Sequence, residues 1–156
     1  MKLIKTFTLF IAVLFISFSC KKKCKIENVN ADSGAIIENV VIYPSSGYMT
    51  SSMNGNYIID GNSPYADKFQ MSLNGGARTG INYANFSILA FPAKAKCNAS
   101  YDRNVTIDNA AMTVTYKMII TQCDNCKEEY FTENYVLVPA FPSNYTVLYN
   151  LSIVDK

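Results

Sequence analysis

The sequence predicts an all-β fold, a single antiparallel β-sandwich behind an N-terminal export segment. Three observations predict it. From Ala35 onward apolar side chains recur with a period of two, clusters of Gly, Asn, Pro and Ser break the chain at short intervals, and no stretch after residue 19 has the spacing of an amphipathic helix.

The first element is the export segment, MKLIKTFTLFIAVLFISFSC. Lys2 and Lys5 give it a positive start, an uncharged apolar run extends from Phe7 to Phe18, and small Ser17 and Ser19 precede Cys20. Signal processing recognises that order of charge, apolar run and small-residue cleavage site. The run is shorter than the ~20 apolar residues a retained membrane span needs. Residues 1–19 are therefore expected to be a cleaved signal peptide, with Cys20 the lipid-modified first residue of the mature chain. Removing 19 of 156 residues leaves 137, enough for one compact domain.

Residues 20–34 read as a lipidated cysteine and basic tether. Lys21, Lys22, Lys23 and Lys25 crowd the anchor. Each adds about 1 kcal/mol of attraction to an anionic membrane surface. Stretched out, residues 21–33 reach about 45 Å. The body from Ile26 onward carries 8 basic and 12 acidic residues. A nucleic-acid binder would place its positive charge on the fold, so no nucleic-acid partner is expected.

The sandwich domain is expected over 35–156. Phe69, Met71 and Leu73 alternate with Lys68, Gln70 and Ser72; Met112–Thr121 and Tyr145–Ile153 alternate in the same way. Each pattern puts one strand face in a core and the other in water. Shorter apolar runs at 36–43, 56–60, 86–91 and 133–138 are rich in β-branched or aromatic residues and read as further strands. Pro44–Gly47, Asn54–Asn56, Asp60–Pro64 and Asn74–Gly76 supply the turns, since Gly and Asn tolerate positive φ and Pro fixes a turn entry.

With Cys20 assigned to lipid, Cys24, Cys97, Cys123 and Cys126 remain, an even number suited to disulfides in an oxidising compartment. Chain entropy prefers Cys97 with one of the Cys123/Cys126 pair: closing the Cys97–Cys123 loop is worth ~3.5 kcal/mol, against ~2 for the four-residue ring. The rival is a Cys123–Cys126 bond at a hairpin tip, leaving Cys24 with Cys97.

The chain has no histidine, which removes His-dependent triads, most zinc enzymes and the usual general base near neutral pH. Cys123-Asp124-Asn125-Cys126 is a CxxC, but it follows a strand rather than opening a helix, and Asp124 disfavours a thiolate. A structural zinc site on these cysteines would need Cys24 as its fourth ligand. No metal site or cofactor is expected. Glu128, Glu129 and Glu133 are the only carboxylate cluster, and Glu129 and Glu133 share a strand face if the strand is continuous. Asp60-Gly61-Asn62 reads as a turn rather than a calcium loop, because Pro64 and the missing terminal Glu break that pattern. Of eleven tyrosines, Tyr48, Tyr57, Tyr65 and Tyr101 fall in or near expected loops and are the binding candidates.

The second half carries Ile81-Asn82-Tyr83, then Cys97, then Asn125-Cys126-Lys127, and closes with Asn134–Pro139 and Pro142–Val147. In that order it resembles a group of small uncharacterised Bacteroidota lipoproteins with a β-sandwich body, over roughly residues 80–154. More distantly, the layout is similar to small exported β-sandwich domains of the protease-inhibitor-like kind. The resemblance implies place and fold, and carries no catalytic residue. The Ser-Phe-Ser-Cys ending also looks like the relaxed lipobox of that group.

The functional expectation is a non-catalytic binding or structural module, held by lipid at a bacterial envelope, on the periplasmic side of the outer membrane, with an envelope protein or glycan as partner. Surface exposure is the competing location; the first acid after Cys20 is Glu27, later than in surface-exported members of the resembled group. The competing functions are a small envelope enzyme using Glu128, Glu129, Glu133 or the CxxC, and a protease-inhibitor-like module.

Overall fold

The computed structural model describes residues 24–26, 30–45, 55–124 and 127–156. Cys20, Tyr48 and Cys126 lie outside them. The described chain is all-β, with one turn of 3-10 helix at Ala66–Lys68. Its strands are β1 (Ala31–Gly34), β2 (Val40–Pro44), β3 (Tyr57–Ile59), β4 (Phe69–Leu73), β5 (Thr79–Gly80), β6 (Phe86–Ala90), β7 (Ala93–Lys96), β8 (Ser100–Asp108), β9 (Thr113–Gln122), β10 (Glu129–Thr132), β11 (Tyr135–Pro139) and β12 (Thr146–Asp155).

They form a sandwich of three layers. The largest sheet has the order β1-β8-β9-β12. The middle layer consists of β11-β6-β3, continued past a break by β10-β7. The third is β2-β4-β5. Two cores result. Val105, Val114, Tyr116, Met118 and Ile120 of the large sheet pack against Leu89, Phe91, Ala93, Val136 and Val138 of the middle layer. Ile59, Ile88 and Leu137 face the other way, onto Phe69, with Val40, Ile42 and Met71 around them. Adjacent residues of β6 and β11 thus serve different cores, because successive side chains point to opposite faces. That is why 86–91 and 133–138 are apolar runs without alternation, whereas β9, buried on one face, alternates.

Most strand pairs are antiparallel, but both outer strands of the large sheet, β1 on β8 and β12 on β9, run parallel to their neighbours. Parallel pairs need long crossovers, and both are made here through other layers rather than by hairpins.

The segment expected to be tether gives up its last residues to the fold. Ala31–Gly34 are β1, with Asp32 opposite Arg103 on β8. Arg103 grips Asp32 with Nε (2.6 Å) and Nη2 (2.9 Å) in a partly buried bidentate pair. Gly34 ends the strand at φ 76°, and a Cβ there would stand 2.1 Å from the Val105 carbonyl oxygen. Only glycine fits.

The middle layer breaks at Pro92 and at Glu133-Asn134. Buried Asn134 spans the gap: its carbonyl accepts from Phe91 N (2.9 Å), and its Nδ2 donates to the carbonyls of Phe91 and Thr132 (3.4 Å each). Glu129 and Glu133 consequently fall on either side of the break and do not share a continuous strand face. Asp60 behaves as a turn, its Oδ1 accepting from Asn62 N at 2.9 Å.

The expected disulfide among Cys24, Cys97, Cys123 and Cys126 is present. Cys24 bonds Cys123, with Cα atoms 5.8 Å apart and a sequence separation of 99. That bond rules out Cys97–Cys123 and the rival Cys123–Cys126 with Cys24–Cys97; a Cys97–Cys126 bond falls outside the described residues. Cys97 is disulfide-bonded too, its partner outside the described residues. Entropy favours the observed pairing once Cys24 counts as part of the fold, since stabilisation grows with loop length; what hid it was treating Cys24 as tether.

Candidate functional site

The Cys24–Cys123 bond sits where several strand ends meet. β9 ends at Gln122 and β12 at Asp155; Asp124 N donates to the Lys156 carbonyl and Lys156 N to that of Gln122. β7 also ends here at Lys96, and the chain turns through Cys97, Asn98 and Ala99 into β8. Asn98 takes φ 56°, a left-handed conformation that Asn accepts more readily than most side chains.

A shallow open groove of about 330 Å³ lies at this turn. Ala95 and Ala99 give it depth because they are small, and Tyr101 and Tyr130 supply aromatic surface. Asn30 and Asn98 supply amides. The groove is well braced. Tyr101 N donates to Asn30 Oδ1 (3.2 Å), Tyr101 Oη donates to Thr132 Oγ1 (3.0 Å), and Cys97 N donates to the Glu128 carbonyl (3.1 Å). Tyr130, 54% exposed, stands opposite Ala95 on the paired strand. Its hydroxyl donates to the Glu128 carboxylate, and that bond, with the carboxylate's charge, pushes the phenol up from its ordinary value.

Lys96 brings a cation to the rim, already matched by acids: Nζ is 2.9 Å from Asp124 Oδ1 and 3.5 Å from Asp155 Oδ1. The hydrogen bond that Lys96 donates to Asp124 is the main reason the ammonium is pushed up. Gln122, buried at the end of β9, accepts from Lys96 N through Oε1 (2.8 Å) and donates through Nε2 to Asp155 Oδ1 (2.8 Å). That donated bond is the chief cause of the lowered Asp155 carboxyl.

Of the four candidate tyrosines, Tyr48 lies outside the described residues and the other three do not all meet at one place. Tyr101 lines the groove, but from strand β8 rather than from a loop. Tyr57 lies on β3, where its carbonyl accepts from Tyr149 Oη at 2.7 Å, and Tyr65 is near enough to raise the Tyr57 phenol electrostatically, behind burial as the larger cause. β8 and β12, to which these two places are tied, are separated by β9. Tyr130 and the two asparagines carried no signal in the sequence, because only the β7–β10 pairing sets Tyr130 over an alanine.

The carboxylates go to tyrosines instead of to each other: Glu128 accepts from Tyr130 Oη and Glu133 from Tyr135 Oη. Cys123, bonded to Cys24, is withdrawn from dithiol chemistry with Cys126, and three of the four cysteines that a zinc site would need are in disulfides. Among the described residues no group of three His, Cys, Asp or Glu side chains is placed to hold a metal ion, and no helix is long and apolar enough to cross a membrane.

No protein-family model matches the chain, and no curated protein or solved structure matches it either. The chemistry of the groove is an exposed aromatic face beside carboxamides that both donate and accept.

Proposed function

We propose that this chain is a non-catalytic binding module, lipid-anchored through Cys20 at a bacterial envelope on the periplasmic side of the outer membrane, and that its groove binds a neutral glycan. The observation that carries the reading is the braced pairing of Tyr101 and Tyr130 with Asn30 and Asn98 around one open cleft. Tyrosine rings stack on the apolar C–H faces of a sugar, while amides bridge its hydroxyls. Recognition residues on a rigid sandwich need no large conformational change to bind.

The Cys24–Cys123 bond sets how far the folded body can stand from a lipid on Cys20. With Cys24 stapled to the fold, only Lys21–Lys23 separate it from Cys20. The chain from anchor to staple spans at most about 14 Å, far less than the 45 Å of a free tether. The groove then works close to the lipid surface.

Detergent-solubilised full-length protein applied to a glycan array and to a peptide array tests the ligand class. Capture of glycans, weakened about tenfold by Tyr130→Ala and by Asn98→Gly with melting nearly unchanged, is the expected result. Glycine preserves the positive φ at 98 while removing the amide. Capture of peptides alone would replace the glycan, and turnover abolished by a single carboxylate substitution would replace the module with an enzyme. Cys20→Ala with metabolic lipid labelling tests the anchor; unchanged labelling in the variant would overturn it.

A further inference from the structure

A sheet edge presents unpaired N–H and C=O groups that template pairing with another strand, and proteins blunt such edges with covers, charges, Pro or brevity. Most edges here are blunted. β3 is tied by Tyr149 Oη and β7 by Gln122 Oε1, each side chain standing in for a strand. Ile37 N donates to the Leu137 carbonyl on β11. β5 is two residues long and β1 four.

β12 is the exception among the described residues. It is ten residues long and pairs with β9 on one side only. It holds no Pro, Lys or Arg, and its single charge is Asp155. Leu148, Leu151, Ile153 and Val154 are 43–50% exposed. Leu151 and Ile153 neighbour the buried Met118 and Ile120 and so lie on the inner face, where β7–β10, only two strands wide, leaves them unroofed. Leu148 and Val154 lie on the outer face.

We infer that β12 pairs antiparallel with β12 of a second copy of this chain, about a two-fold axis through Leu151. The strand reads Val-Leu-Tyr-Asn-Leu-Ser-Ile-Val-Asp from Val147 to Asp155, and its apolar–polar pattern is nearly the same in both directions about Leu151. In that register Leu148 faces Val154, Tyr149 faces Ile153, Asn150 faces Ser152, and Leu151 faces its own copy. The two Asp155 side chains fall at opposite ends, each across from Val147. A two-fold through Asn150 would set Leu148 against Ser152 and Thr146 against Val154, and a parallel pairing would bring the aspartates together. An isologous contact needs a self-complementary surface, and β12 supplies one. The product is a continuous eight-stranded sheet. Its two staple ends stand apart by about the length of one ten-residue strand, roughly 33 Å, so both anchors reach one bilayer when β12 lies along the membrane.

The test uses the full chain purified in detergent without reductant. Leu151→Cys should cross-link to itself under mild oxidation, because directly opposed Cα atoms in an antiparallel pair, ~4.5–5.5 Å apart, fall within disulfide reach. Asn150→Cys and Ser152→Cys should each fail alone and cross-link when mixed. Leu151→Lys, at a site already half exposed, should weaken the dimer measured by sedimentation about 100-fold, since two cations meet on the axis. A wild-type chain that stays monomeric at all concentrations, or an Asn150→Cys chain that links to itself as readily as Leu151→Cys, would overturn the inference. Neither outcome depends on the groove or its ligand.

Discussion

The two outer strands of the large sheet, β1 and β12, are alike in how they pair and opposite in chemistry. Each is parallel to its neighbour. β1 is four residues long, fixed by a bidentate ion pair, by Ser33 and Asn104 side chains hydrogen-bonded at 2.9 Å, and by a glycine that nothing else can replace. β12 is ten residues long, with one charge and four half-exposed apolar side chains. The first edge spends its side chains on holding the chain to itself. The second leaves them for contact. Stability and association are thus placed on opposite sides of one sheet, and changes at the two edges should separate cleanly.

The largest effect belongs to the staple that leads into β1. Replacing Cys24 and Cys123 together by Ala should cost about 4 kcal/mol, because the closed loop is long. A guanidinium titration measures it, and a loss below 1 kcal/mol would show that the denatured chain is held in some other way. Breaking the Asp32–Arg103 pair by Arg103→Ala should cost about 3 kcal/mol, since the change leaves a carboxylate partly buried without its cation. The same cation lies close enough to the buried Tyr116 phenol to act on it electrostatically, although burial dominates and pushes that phenol up. Gly34→Ala should cost about 2 kcal/mol through positive φ and the clash with Val105.

On the β12 side the effect on folding should be small. Leu151→Lys should change the melt of the isolated chain by less than about 0.5 kcal/mol, the range of ordinary surface substitutions, while abolishing association at working concentrations. If Arg103→Ala dissolved the dimer and Leu151→Lys unfolded the chain, the division between the edges would fail.

Alkali gives a finer test. Burial pushes the Tyr83 phenol up to about 12, with Asp67 adding to it, and raises Tyr149, which ties β12 to β3. A phenol whose folded pKa exceeds its unfolded value of about 10 contributes stability that is complete below pH 10 and is lost as pH rises through the folded value. Melting temperature should hold to pH 10 and fall between 10 and 12. The tyrosinate absorbance contributed by Tyr83 and Tyr149 should follow unfolding instead of preceding it.

Much of the fold was legible in the residues. The alternating stretches are the strands Thr113–Gln122, buried on one face, and Thr146–Asp155, whose inner face is only partly covered, and the expected runs near 57–59, 69–73, 86–90 and 135–139 are strands. β8 was not, because Ser100–Asp108 mixes Asp, Arg and Asn into its inner and outer faces, and Arg103 earns its inward place only through Asp32, a partner 71 residues away. β7, with the sequence AKAK, and β10, flanked by glutamates, carry too little apolar signal to be read before they are paired. The groove inherits that blindness: Tyr101 could be named as a candidate, but Tyr130, Asn30 and Asn98 come to it from separate parts of the chain.

By itself the sequence determined the all-β class, the positions of the most apolar strands, the turn at Asp60 and the absence of histidine chemistry. These follow from side-chain periodicity, local turn preferences and composition, all of which act over a few residues. Tertiary structure decided the rest: which cysteine takes Cys123, the third layer that turns β6 and β11 into strands buried on both faces, the parallel course of β1 and β12, and the gathering of the groove. Each is a choice of partner between segments far apart in the chain. No local pattern encodes such a choice, because it is settled by which faces can be buried together at once.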